Sequence, residues 1–365
     1  MRLSAVLFLF LAPLAAAQAP PVMNERVVMV KVGGGFSAAE LETTLFRPEG
    51  EGPFPLVVIN HGKAPGNPAF QERARFLVAS REFVRRGYVV ALPMRLGFSR
   101  SSGSYVPGGC NIASNGEMQA EWVEGVIEWL RAQPFVDRDR ILVAGQSHGG
   151  LATLALGARN PPGVRGLLNF AGGLRIPSCS WEDALAQAFE RYGARTKLPS
   201  LWFYGDNDSY FPPDVWKELH ARYAAAGGGA RLVAFGRFGR DAHGMFGSRA
   251  GLPLWVPEVE RFLESIGLPS KPAGAGPEVP RPVPSGFARL EDVGALPHVR
   301  DTGRKGYADF LQRGLPRAFA IGPGGSWGWA SEGDDPTERA IANCARARKE
   351  ACRLYAVDDD VVWRP

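Results

Sequence analysis

Short apolar runs and helix-spaced apolar stripes take turns along most of this chain. Pro55-Leu56-Val57-Val58-Ile59-Asn60 is apolar on both faces and closes on His61-Gly62, as expected of a strand buried inside a parallel sheet. Residues 88–92, 140–145, 164–170, 201–204 and 231–235 read as further strands. Phe76, Leu77, Ser80, Phe83 and Val84 recur at helical spacing and predict a helix over residues 70–86, stopped by Gly87. Trp122, Val126, Trp129 and Leu130 predict another over 117–133. Residues 149–159, 181–192, 213–226 and 256–266 predict four more. Ahead of them, residues 26–32 and 41–47 are extended segments expected to pair antiparallel at one edge. Such alternation builds an α/β fold: a mostly parallel, doubly wound sheet with helices on both faces and right-handed crossovers. Its chemistry belongs at the carboxyl ends of the strands.

The pattern breaks at Gly267. Residues 268–286 hold Pro269, Pro272, Pro277, Pro280, Pro282 and Pro284 with few apolar side chains, which predicts an extended, semi-rigid linker. Residues 287–365 then read as a small α+β domain. Strands are expected over 317–321, 328–330 and 353–362, and a helix over 336–349 with Pro336 in its first turn. At the other end, Arg2 precedes an apolar run from Leu3 to Leu14 and then Ala15-Ala16-Ala17. This predicts a signal peptide over residues 1–17 and export to the periplasm or the outside. The catalytic unit is then expected over 18–267.

Composition narrows the partners. Of the 365 residues, 45% are hydrophobic and 22% charged, the balance of a folded globular chain. The formal charge of +5 is scattered, with no Lys/Arg block and no basic–aromatic stripe, which argues against nucleic acid. No stable membrane span is expected once the signal is removed, since the run up to Leu14 is short and broken by Pro13.

Gly145-Gln146-Ser147-His148-Gly149-Gly150 follows a predicted strand and opens a predicted helix. This is a G-x-S-x-G turn in the context that gives it meaning. The sharp turn forces the serine into a strained backbone and lifts Ser147 Oγ out at the end of the sheet. A serine needs a base, and the chain has five histidines. His148 is tied to the turn, His61 follows an earlier strand, His220 lies mid-helix, and His298 is beyond the linker. His243, in Asp241-Ala242-His243-Gly244 after the last strand of the sheet, is the candidate base. Tyr204-Gly205-Asp206-Asn207-Asp208 ends the preceding strand. Asp208 is the candidate acid and Asp206 the alternative, more plausibly a turn-former. The order Ser147, Asp208, His243 is that of the hydrolases built on such sheets. Oxyanion donors are expected from the N–H of His148 and the N–H of Lys63. No cofactor or metal is needed.

With these residues the chain resembles an α/β-hydrolase of the dienelactone hydrolase-like group. The matching pieces are Val57-Val58-Ile59-Asn60-His61-Gly62, Pro93-Met94-Arg95-Leu96-Gly97-Phe98-Ser99-Arg100, the turn at Ser147, Gly205–Asp208 and Asp241–Gly244, all within residues 25–266. The resemblance implies Ser147 as nucleophile, Asp208 as acid and His243 as base. Dienelactone hydrolases proper use cysteine as nucleophile, so Ser147 is a departure that favours general ester hydrolysis over lactone chemistry. The Ser-His-Gly-Gly turn also resembles secreted esterases and, more weakly, prolyl-oligopeptidase-type peptidases.

The expected activity is hydrolysis of a small-molecule carboxylic ester through an acyl-enzyme. A serine peptidase or amidase is the alternative, and a non-catalytic envelope-binding protein the third. Tyr105, Trp181, Tyr210 and Phe211 are candidates for the substrate pocket. The four cysteines suit export. Cys344 and Cys352, close in sequence, are expected to pair, which leaves Cys110 with Cys179, one of three possible connectivities. No CxxC or HxxxH spacing points to zinc. Asp358-Asp359-Asp360 lacks the spacing of a calcium loop and reads as a solvated turn. The C-terminal domain could serve as a lid, an oligomerisation patch or a cell-envelope contact.

Overall fold

The computed structural model describes residues 22–34, 38–274, 281–331 and 336–365. The expected signal peptide, residues 1–17, lies outside the described residues, as does the middle of the proline-rich segment.

Eight strands make one sheet in the order β1-β2-β4-β3-β5-β6-β7-β8. They are β1 (Arg26–Val32), β2 (Ala39–Phe46), β3 (Phe54–Asn60), β4 (Val89–Pro93), β5 (Val136–Gln146), β6 (Val164–Phe170), β7 (Ser200–Tyr204) and β8 (Ala230–Ala234). β1, β2 and β4 pair antiparallel, whereas β4, β3, β5, β6, β7 and β8 pair in parallel. The period-2 alternation of strand side chains divides the core in two. Leu56, Val58, Ile141, Val143 and Leu167 face the helices α2 (Ile112–Arg131), α3 (His148–Gly157), α4 (Trp181–Gly193) and α5 (Pro213–Ala225). Val57, Ile59, Leu142, Ala144 and Leu168 face α1 (Leu77–Val84) and α6 (Leu252–Ser265). β5 is hydrogen-bonded on both sides, by β3 and β6, so the turn that follows it emerges at mid-sheet.

Strand β5 and helix α6 each start four residues earlier than expected, at Val136 and Leu252, and two other helix starts shift further. The helix expected over 70–86 starts only at Leu77, because Phe76 takes a left-handed backbone (φ 40°). Phe70 is 82% exposed and adds nothing to the core. The stretch before α1 instead brings Arg73 and Arg75 onto the Glu25 carboxylate at 2.8 and 2.6 Å. Helix α2 begins at Ile112, earlier than its apolar stripe suggests, because the Asn111 side chain caps it by accepting from the Ser114 N–H at 3.0 Å.

The C-terminal unit is a separate four-stranded antiparallel sheet in the order β10-β9-β11-β12. Its elements are α7 (Asp301–Leu311), β9 (Arg317–Ile321), β10 (Trp327–Ser331), α8 (Pro336–Arg348), β11 (Arg353–Val357) and β12 (Asp360–Val361). Tyr307 and Phe310 of α7 pack on Phe319, Ile321, Tyr355 and Trp363 on one face. Ala340 and Cys344 of α8 pack on Ala318, Ala320 and Ala330 on the other.

Helix α7 was not anticipated. Gly303 and Gly306 weaken its intrinsic propensity, and tertiary packing overrides that weakness. A Cβ on Gly306 would meet the Trp327 ring at 2.2 Å. The strand expected over 353–362 is broken in two by a turn at Asp358, which has φ 54°. That turn is not simply solvated. The Asp358 carboxylate accepts from the Arg317 N–H at 3.1 Å, and Asp359 pairs with the Arg317 guanidinium at 2.7 Å.

The proline-rich segment is anchored where it is described. The Tyr88 hydroxyl donates to Pro269 O at 2.8 Å, the Ala273 N–H to Arg85 O at 2.9 Å, and the Ser285 N–H to Val361 O at 2.9 Å. Both expected disulfides are present, Cys110–Cys179 and Cys344–Cys352. No helix among the described residues is long and apolar enough to cross a membrane.

Candidate active site

Ser147 sits between β5 and α3 with φ 57° and ψ −126°, a backbone conformation that costs energy for any residue with a Cβ. The surroundings hold it there. Its N–H donates to Phe170 O at 3.0 Å, and its carbonyl accepts from Gly150, Leu151 and Gly173 at 2.8, 3.2 and 3.0 Å. The turn passes so close to the end of β3 that a Cβ on Gly149 would lie 2.0 Å from Asn60 O and 2.7 Å from His61 O. Glycine is therefore required, and the loop 61–63 is pressed against the serine turn.

His243 lies in a short 3-10 turn, Ala242–Gly244, whose start is capped by Asp241: Oδ1 accepts from the His243 N–H at 2.9 Å. The Gln146 side chain donates to His243 O at 2.7 Å, which ties this turn to the residue before Ser147. The His243 ring is buried, and its Nδ1 lies 3.0 Å from Asp208 Oδ2 and 3.1 Å from Oδ1. Asp208 is buried too, and Oδ1 also accepts from the N–H groups of Tyr210 and Phe211 at 2.8 and 3.0 Å. Bonds of this kind fix the orientation of a carboxylate. Asp206, the alternative, is exposed, and its N–H donates to Gly236 O at 2.8 Å.

Ser147, His243, Gly62, Lys63, Gln146 and Tyr210 line one cavity of about 670 Å³. Its far wall comes from α8 of the C-terminal unit, through Glu338, Arg339, Ala342, Asn343 and Arg346. Arg75 bridges the two units by pairing with Glu338 at 2.6 Å. The contribution of α8 is not legible in the sequence, since residues on opposite sides of a proline-rich segment carry no pattern that links them.

The candidate pocket aromatics fall in different places. Tyr210 borders the cavity, its ring 4.4 Å from that of His243. Phe211 is buried 5.8 Å from the His243 ring, and Trp181 packs 6.1 Å from Phe211 in the core beneath. Tyr105 stands 5.8 Å from the His148 ring, with the Lys63 ammonium 5.7 Å from its own ring.

The remaining histidines are placed apart from Ser147 and His243 or locked. His220 reaches Ala230 O at 3.1 Å, and His298 packs near Trp363 in the C-terminal unit. His61 and His148 are buried. Burial and then the neighbouring Arg95 charge hold both imidazoles well below the usual range, so both are neutral. Burial also lowers the Lys63 ammonium. Neither the Lys63 N–H nor the His148 N–H has a protein acceptor among the described residues. Sequence reasoning missed Gln146 as a tether and Arg95 as a buried side chain. In the sequence Arg95 stands out only as part of the Pro93–Arg100 motif.

The fold around this site has known counterparts. Dipeptidyl peptidase 4 from Porphyromonas gingivalis is 15% identical, with a TM-score of 0.52 over 67% of this chain and 36% of that one. A Mycobacterium tuberculosis puromycin-hydrolyzing peptidase is 19% identical, with a TM-score of 0.51 over 72% of this chain and 44% of that one. Thermogutta terrifontis esterase 2, phosphorylated by paraoxon, is 19% identical, with a TM-score of 0.50 over 70% of this chain and all of that one (100%). The chain has the α/β-hydrolase fold. Residues 35–211 also match the family of X-Pro dipeptidyl-peptidase (S15 family), a span that holds Ser147 and Asp208 but stops short of His243. No curated protein matches the chain.

Proposed function

We propose that this α/β-hydrolase is a serine esterase, with Ser147 as nucleophile, His243 as general base and Asp208 as its orienting acid. Ser147 Oγ attacks the ester carbonyl carbon while His243 Nε2 takes the hydroxyl proton. Nδ1 is committed to Asp208, which fixes the tautomer and stabilises the imidazolium. The N–H groups of Lys63 and His148 receive the oxyanion. The tetrahedral intermediate collapses as His243 returns the proton to the leaving alkoxide, which leaves an acyl-serine. Water then attacks, losing its proton to His243, and the acid departs as Ser147 regains its hydrogen.

One observation carries this reading. A buried imidazole held by a buried carboxylate at 3.0 Å shares a single cavity with a serine on a strained strand–helix turn. That combination is costly to keep without a chemical use. The two disulfides fit an oxidising compartment, which supports export.

Paraoxon offers a direct test, since it phosphorylates the Thermogutta esterase of the same fold. It is expected to add one diethylphosphoryl group to the intact protein, on Ser147. Ser147→Ala should abolish the adduct and lower p-nitrophenyl acetate turnover by about 10⁴-fold. Residual turnover above about one part in a hundred would remove Ser147 from its role. A folded wild-type chain that takes no adduct and turns over no ester would point to the envelope-binding alternative.

The second reading, a peptidase or amidase on the same residues, is favoured by the S15 match. His243 could protonate an amine leaving group just as it would an alkoxide. The ester reading is preferred because the esterase counterpart is covered over its whole length, whereas the chain spans 36% of the dipeptidyl peptidase. Matched ester and anilide substrates of one acyl group separate the two.

A further inference from the structure

Arg95 is fully buried (0% exposed), and among the described residues no carboxylate pairs with it. It follows β4, and its guanidinium ends between the two loops that flank Ser147. Nη1 donates to His61 O at 2.6 Å, Nη2 to His148 Nδ1 at 3.1 Å, and Nε to Gln119 Oε1 at 3.1 Å. The guanidinium carbon lies over the Phe98 ring, 5.4 Å from its centroid. Its backbone N–H donates to His61 Nε2 at 3.2 Å.

These contacts set both histidine tautomers. With His148 Nδ1 accepting, Nε2–H must donate to Asn115 Oδ1, 2.7 Å away. With His61 Nε2 accepting, Nδ1–H must donate to Gly62 O, 2.6 Å away. Arg95 therefore grips the carbonyl two residues before Lys63 and the side chain of His148. Those are the two residues whose N–H groups face the oxyanion in the proposed reaction.

A buried cation without a counter-charge is expensive in the resting protein, and burial pushes this guanidinium down to about 9. The expense falls when a negative charge develops nearby. We propose that Arg95 is a positioning residue of the oxyanion hole: it aims the Lys63 and His148 amides, and its buried charge is balanced by the oxyanion of the transition state. This rests on the esterase reading. An interaction that strengthens in the transition state acts on kcat and leaves ground-state binding nearly unchanged.

The test is steady-state ester hydrolysis by Arg95→Met and Arg95→Lys beside wild type, each checked for folding by near-ultraviolet circular dichroism. Arg95→Met should lower kcat by about 100-fold or more with KM within about threefold, the size seen when one oxyanion donor is lost. Arg95→Lys keeps the charge but cannot reach three acceptors, so its kcat should fall by about tenfold, between the two. A kcat within about threefold of wild type in folded Arg95→Met, or a loss carried by KM, overturns the proposal. If Arg95→Met does not fold, Arg95→Lys decides alone by the same kcat criterion. Failure of wild type to hydrolyse esters or react with paraoxon would instead sink the esterase reading.

Discussion

At the scale of single residues, the surroundings of Ser147 are built from groups that water would ionise differently. His61 and His148 are neutral inside the fold, because burial and the Arg95 charge oppose protonation. In the unfolded chain both would titrate near the ordinary imidazole value of about 6.5. Their folded values are depressed, so the stability they confer is complete above about pH 6.5 and lost as pH falls below it. Two such groups steepen the loss by up to about 2.7 kcal/mol per pH unit. His148→Gln should remove about half of that slope in urea unfolding followed from about pH 7 to about pH 5. An unchanged slope would mean that His148 is already charged in the native state. Of the residues in the proposed reaction, the sequence offers Ser147, Asp208 and His243 from motif and order. What it lacked was Arg95, since a surface arginine and a buried one look alike in a sequence.

At the scale of elements, the strand–helix alternation was legible because each parallel strand is buried on both faces and each helix shows a stripe. Boundaries failed where a single side chain decided them, as with the Asn111 cap of α2 and the left-handed Phe76 before α1. The bridges can be ranked by the chain they close. Cys110–Cys179 spans 69 residues and ties the loop before α2 to the loop before α4. Gly173 of the second loop donates to Ser147 O at 3.0 Å. Cys344–Cys352 spans only 8 residues. Loop-closure entropy gives about 4 kcal/mol for the first and about 2.5 kcal/mol for the second. The double variant Cys110→Ser with Cys179→Ser should therefore lose more stability in urea than Cys344→Ser with Cys352→Ser. The reverse order would show that native packing, not chain entropy, dominates.

For the whole molecule, the cavity is completed by a second unit. Helix α8 lines the cavity of Ser147 with Ala342, Asn343 and Arg346, and Arg75 pairs with Glu338 between the units. In the proposed reaction, α8 bounds the room for substrate with a wall that the eight-stranded sheet does not supply. Ala342→Trp should narrow the cavity and lower kcat/KM for long-chain or aromatic acyl esters by roughly tenfold, with acetyl esters changed by less than about twofold. Equal effects on both substrate sets would mean that the acyl group does not reach α8.

Local pattern alone determined the strands, most helices, the linker composition and the order of the candidate reacting residues. Those features follow from periodicity and turn chemistry, which act between near neighbours in the chain. Tertiary structure decided the rest: which carboxylate meets His243, that Arg95 carries its charge into the interior, and that α8 faces Ser147. Such facts depend on the approach of segments far apart in sequence, and no spacing rule records who meets whom across a folded interface.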